Sequence, residues 1–334
     1  MPVSRAAILG IAGPALTGGE AALFRAHPPA GAILFRRNVE HPVQLRALTA
    51  SLREVLAEGA PILVDQEGGR VARLRPPHWR AHPPAGDIGA LHARDPAAGL
   101  RAAWLTGALI GLDCADAGID MACAPVLDLR HPGAHDVIGD RSFGPDPHAV
   151  AALGRALADG LLAAGVLPVA KHAPGHGRAR ADSHLALPVV DVAELGDDIL
   201  PFAANADLPV MMTAHILYPA LDPDRPATLS PRVVREVIRG RIGFGGLLLS
   251  DDLAMQALSG TPAERALGAL AAGCDLALYC PGDAAGNAAV LDACPPMSDA
   301  AAARLGAARA LAAAKRQTLD GTALAAGRVR LLGA

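Results

Sequence analysis

A chain of 334 residues, 51% hydrophobic and 19% charged, exceeds the roughly 100–200 residues of an ordinary domain but fits a single α/β barrel. That apolar content excludes a disordered polymer, and a formal charge of -3 excludes the broad basic field that nucleic acid or an anionic membrane surface would attract. Five cysteines (Cys114, Cys123, Cys274, Cys280 and Cys294), none in CxxC spacing, predict neither a disulfide framework nor structural zinc, and fit reduced thiols in a cytoplasmic protein.

Residues 6–11 read as a first strand rather than a signal peptide, because Gly10, Gly13 and Pro14 break the apolar run. Further apolar runs at 31–35, 61–65, 120–129, 168–172, 209–215, 246–251 and 275–280 bring the strands to eight. Each run is nearly continuous, as strands buried on both faces of a parallel sheet should be. Helical patterns intervene at 43–57, 97–117, 147–164, 192–205, 231–240 and 262–272, while 73–91, dense in Pro and His, predicts an excursion over one face. The segment 298–316, with Ser298 as N-cap and a basic end, reads as a closing helix. An open doubly wound sheet would carry a GxGxxG turn after its first strand, and this chain has none there. The expected architecture is α/β, a (β/α)8 TIM barrel forming one domain over 1–334. No stretch is apolar enough to span a membrane.

Active sites of such barrels lie at the C-terminal strand ends, where this chain places Asp65, Asp128, Lys171, His172, His215, Asp251 and Asp252. Taken singly, each is as readily a cap or a solvated group. Their convergence on one rim favours chemistry. Three histidines, a lysine and an aspartate crowd into residues 171–184; the spacing is not HExxH, so no metal is expected. Gly175 and Gly177 allow a loop that closes over substrate, with Asp182 two positions before His184 and able to orient its imidazole. Of Asp251 and Asp252, alternation lets only one face the barrel axis and does not choose between them. Lys171 stands out because, of 30 basic residues, only it and Lys315 are lysine. A compact point charge is wanted there, where a guanidinium fork would not fit.

These residues resemble the single-domain bacterial β-N-acetylglucosaminidases of glycoside hydrolase family 3, enzymes of cell-wall recycling. The resemblance rests on Gly31-Ala-Ile-Leu-Phe-Arg-Arg-Asn38, Val64-Asp-Gln-Glu-Gly-Gly-Arg-Val71, Ala124-Pro-Val-Leu-Asp128 and Gly139-Asp-Arg-Ser-Phe143. It rests as well on Lys171-His-Ala-Pro-Gly-His-Gly177, Asp182-Ser-His184 and Ser250-Asp-Asp-Leu-Ala-Met255. It implies a retaining mechanism with Asp251 as nucleophile and His184, steadied by Asp182, as acid/base. It also implies a sugar held by Asp65, Arg73, Arg141, Lys171 and His172, a family 3 N-terminal-type barrel over the whole chain, and no cofactor. The implied substrate is N-acetylglucosamine linked to anhydromuropeptides, acted on by a cytoplasmic monomer. Two positions depart from the family pattern: Ala173 replaces Phe in the loop, and Asp140 replaces Glu. Stacking on sugar falls to few rings, with Trp79, Phe143 and Tyr218 as candidates. Competing expectations are a phosphorylase of the same sugar, a metal-dependent amidohydrolase-like barrel and a noncatalytic sugar-binding barrel.

Overall fold

The computed structural model describes residues 3–191 and 195–333. Its strands, in chain order, are β1 (Arg5–Gly10), β2 (Pro29–Leu34), β3 (Ile62–Val64), β4 (Gln66–Gly68), β5 (Val71–Ala72), β6 (Met121–Ala122), β7 (Leu167–Ala173), β8 (Val210–Thr213), β9 (Leu247–Asp252) and β10 (Leu276–Tyr279). Eight of them close a barrel in the order β1-β10-β9-β8-β7-β6-β3-β2, every neighbouring pair parallel, while β4 and β5 form a separate antiparallel hairpin. All eight apolar runs of the sequence supply barrel strands.

Alternation along each strand builds two cores. Ile8, Ile33, Leu63, Met121, Val169, Met212, Leu249 and Leu278 belong to one cluster, inside the barrel. Their chain neighbours Leu9, Leu34, Ile62, Ala122, Ala170, Met211, Leu248 and Ala277 join the other, beneath the helices. Leu305, Ala308 and Ala312 of the helix Asp299–Lys315 enter the interior cluster. Arg304 of the same helix bonds Asp275 (2.6 Å) and the Gly245 carbonyl (3.2 Å), which precede β10 and β9. The helix therefore covers the N-terminal mouth, and the C-terminal mouth is left for the cleft.

The fourth strand is shorter than 120–129 suggested. The regular ladder stops at Ala122, and the cis Ala124–Pro125 peptide follows. Proline lacks the N–H that a continuing ladder would need. The 73–91 excursion runs into the helix Ala85–Arg94, and the helices Gly18–Ala26, Ala284–Ala293 and Gly321–Leu332 are additions to the predicted set. Residues 231–240 do coil, but as a π-helix over Val233–Arg241. Of the predicted 192–205 helix, Gly196–Ala203 is present and residues 192–194 lie outside the described residues. All five cysteines are buried and unpaired. Among the described residues no helix is long and apolar enough to cross a membrane.

Candidate active site

The cleft at the C-terminal mouth is bordered by Asp65, Glu67, Arg73, Arg141, Lys171 and His172 together with Asp251, Asp252, His176, Ser183 and His184. Its floor is a chain of buried charges. Lys171 Nζ lies 3.0 Å from Asp65 Oδ1 and 2.6 Å from Glu67 Oε1 with its side chain 3% exposed. Arg73 donates to Asp65 Oδ2 at 2.8 Å, and Arg141 grips both oxygens of Glu67 at 2.8 and 2.9 Å. Burial alone would drive the protons back onto these acids. The Lys171 and Arg73 charges instead hold Asp65 far below the usual carboxylate range, and Arg141 and Lys171 lower Glu67. Burial likewise works against the Lys171 ammonium, yet Asp65 and Glu67 raise its pKa above the ordinary lysine value.

The hairpin that carries these acids is fixed from within. Gln66 is fully buried, and its Oε1 accepts the Arg73 and Leu74 amides while its Nε2 donates to the Leu74 carbonyl. Asp128, also buried, accepts from His172 Nδ1 at 2.6 Å and from the His176 amide at 2.6 Å, so it fixes the imidazole and the start of the following loop together. Nε2 of His172 stands 3.5 Å from Arg141.

Beyond β7 the chain turns through Gly175, at φ +139°, and Gly177, where a Cβ would lie 2.0 Å from the Leu129 carbonyl oxygen. Only glycine fits either place. Tyr218 donates to the Gly175 carbonyl, and Arg178 and His131 share buried Asp198 at 2.5 and 2.7 Å. The loop then rises to its tip, where Asp182 Oδ1 accepts from the His184 amide (2.9 Å) and meets His184 Nδ1 (2.7 Å). Burial works against the Asp182 charge, but the bonds to His184 outweigh it and lower the pKa. His184 projects outward with its side chain 63% exposed, whereas its neighbour Ser183 is buried, with Oγ 3.0 Å from His176 Nε2.

Asp251, the penultimate residue of β9, borders the same cleft as this loop. Burial disfavours its charge, but His215 and His172 beside it outweigh that and hold its pKa below the ordinary value. Asp252 behaves oppositely. Burial raises its pKa and the Asp251 charge adds to the rise, while its Oδ1 accepts the Ala254 and Cys280 amides at 3.0 and 3.1 Å. Both aspartates border the cleft, a correction to the expectation that only one could face it, because the β9–β10 register shifts there: Leu276 pairs with Leu249 but Leu278 with Asp252, and the extra residue breaks the alternation. Asp252 is committed to the wall, and Asp251 keeps Oδ2 free of hydrogen bonds among the described residues.

Sequence reasoning left out Glu67, the carboxylate shared by Lys171 and Arg141. A signal was present: Asp65 and Glu67 are two apart, so an extended chain shows both to one lysine. The stacking candidates are also corrected. Phe143 and Tyr218 are buried at 4% and 2% exposure and Trp79 lies elsewhere, whereas Phe35 borders the cleft with Arg37 and Arg73 over its ring at 5.1 and 5.3 Å. No group of three or more His, Cys, Asp or Glu among the described residues is arranged to hold a metal ion.

Residues 19–303 match the profile described as the glycosyl hydrolase family 3 N terminal domain. The chain is 42% identical over 279 residues to a β-hexosaminidase of Bordetella avium, covering 81% of this chain and 79% of the relative. It is also 42% identical over 303 residues to a β-hexosaminidase of Chromobacterium violaceum, covering 88% and 84%. Among solved structures it superimposes with a TM-score of 0.86 and 32% identity on NagZ from Neisseria gonorrhoeae in complex with N-trifluoroacetyl-D-glucosamine, over 99% of this chain and 98% of that one. A closed parallel barrel with this cleft, matched along most of its length, belongs to glycosyl hydrolase family 3.

Proposed function

We propose that the chain, acting as a single barrel unit, is a retaining exo-β-N-acetylglucosaminidase with Asp251 as nucleophile and His184 as acid/base. The observation that carries this reading is the pairing, across one cleft, of an ionised strand-end carboxylate with an exposed histidine whose Nδ1 is 2.7 Å from Asp182. Asp251 Oδ forms a bond to the anomeric carbon as the glycosidic C–O bond breaks, and His184 gives its proton to the departing oxygen. Water then attacks the anomeric carbon, His184 takes the water's proton, and the Asp251–carbon bond breaks. An imidazole serves both halves near neutral pH because its unperturbed pKa is about 6.5. Asp182 holds the ring in orientation and favours the imidazolium needed in the first half.

Asp65, Arg73, Arg141, Lys171 and His172 hold the sugar hydroxyls and the acetamido group; an analogue lacking a matching group leaves buried charges unpaired. The β-hexosaminidase relatives and the glucosamine derivative bound to the Neisseria gonorrhoeae neighbour support N-acetylglucosamine as the sugar. We extend this to anhydromuropeptides as natural substrate, turned over by a cytoplasmic monomer in cell-wall recycling.

The test is hydrolysis of p-nitrophenyl N-acetyl-β-glucosaminide by the wild type and by Asp251→Ala. Turnover should fall by about 10⁴-fold in the variant, and azide should restore release of nitrophenol with formation of the α-glycosyl azide. Equal rates would overturn the assignment and move the nucleophile to Asp252.

A further inference from the structure

The helix Gly321–Leu332 lies beyond the family match, which ends at residue 303, yet it sends one charged side chain inward. Arg328 is 6% exposed. Its Nη1 donates to His82 Nδ1 at 2.8 Å and its Nη2 to the Ala81 carbonyl at 2.7 Å. A guanidinium only donates, so His82 Nδ1 accepts, and the ring proton sits on Nε2, 2.9 Å from Asp113 Oδ2. Asp113 also pairs with Arg80. Burial lowers the His82 pKa, in keeping with a neutral ring.

The backbone of this same segment supports the substrate hairpin. The His82 carbonyl accepts the Gly69 amide at 2.9 Å. A Cβ on Gly68 would lie 2.3 Å from the Pro83 carbonyl oxygen, and one on Gly69 would lie 2.8 Å from Pro84 Cβ. Glu67, which binds Lys171 and Arg141 in the cleft floor, immediately precedes this turn. Arg328 Nε is buried with no hydrogen-bond partner. Burying a guanidinium incompletely paired is a poor means of holding a helix in place, because an apolar side chain would do so without the desolvation cost. What the arginine supplies is a fixed position for residues 81–82.

We propose that Arg328 is a positioning residue for the sugar-binding hairpin, acting through Ala81 and His82 on the Gly68-Gly69 turn and so on Glu67. Its effect on sugar binding rests on the proposed function; its effect on the hairpin does not, and two readouts keep these apart. The first is amide hydrogen exchange of the 66–74 segment in full-length wild type, Arg328→Ala and Leu331→Ala, the last of which thins the same helix's packing beside the same cavity but removes no hydrogen bond to Ala81 or His82. Exchange should quicken at least tenfold in Arg328→Ala and stay at the wild-type rate in Leu331→Ala. The second is the chromogenic glycosidase assay well below the unfolding transition. Arg328→Ala should raise KM severalfold with kcat within about twofold, since the hairpin grips the sugar equally in ground and transition states, and Arg328→Lys should restore part of the loss. Unchanged exchange in Arg328→Ala, or equal quickening in Leu331→Ala, overturns the proposal. Quickened exchange in a protein without glycosidase activity would uphold the coupling and refute the enzymatic reading instead.

Discussion

Two groups of residues around the cleft, a sealed wall and an exposed one, are built on opposite principles. Lys171 and Glu67 are nearly sealed from water, at 3% and 6% side-chain exposure, and each has its partners in place before any sugar arrives. His184, bordering the same cleft, is 63% exposed and held by a single carboxylate two residues away. The difference teaches where preorganisation is useful. Groups that select a sugar gain from being locked, because every unmatched partner then costs free energy. A group that gives up a proton and takes one back works better near solvent, from which water must enter.

The contrast makes three quantitative claims. The largest effect is expected at the exposed wall: His184→Ala should reduce kcat by roughly 10²–10⁴-fold while leaving unfolding free energy within about 0.5 kcal/mol, by steady-state kinetics and urea titration. A large loss of stability there would show the loop to be structural. Next comes the sealed wall. Glu67→Gln leaves Lys171 and Arg141 short of a buried counter-charge, and unfolding free energy should drop by about 3–5 kcal/mol; a drop below about 1 kcal/mol would mean that the floor is wetter than its burial indicates.

The smallest effect concerns His176, which borders the same cleft. Burial, with His172 adding to it, lowers its pKa to about 4. Folded protein therefore keeps this ring neutral while the unfolded chain protonates it below about 6.5. The unfolded state binds more protons in this window, so stability is full above it and is lost as pH falls from about 6.5 towards 4, by an amount on the order of 2–3 kcal/mol. His176→Gln should flatten that part of the stability profile, and an unaltered slope would assign it to other buried histidines such as His82 and His215, whose pKa values are also lowered by burial.

The barrel was legible because its signal is redundant: eight apolar runs alternate with helical patterns, and strands buried on both faces cannot hide among polar neighbours. The helices Gly18–Ala26 and Ala284–Ala293 were not, since one begins with paired glycines and the other is rich in alanine, so neither shows a sharp apolar stripe. Thr17 and Glu20 did carry a capping box that marks the first. In the cleft, residues near one another in the chain were readable as a unit, as with Asp182 and His184. The partnerships of Glu67 with Arg141 and of Asp128 with His172 join positions 74 and 44 residues apart, and only the closed barrel brings them together.

Among the described residues, the hydrogen bonds from 180–187 to the rest of the barrel come from Ser183: its hydroxyl to His176, and its carbonyl to the Ala257 amide at 3.3 Å. The proposed proton donor thus sits on a cassette stitched down at one residue, while the proposed sugar cradle is woven into the strands. On the proposed function, grafting a different cassette between Arg178 and Pro188 should exchange the acid/base chemistry without re-forming the cradle.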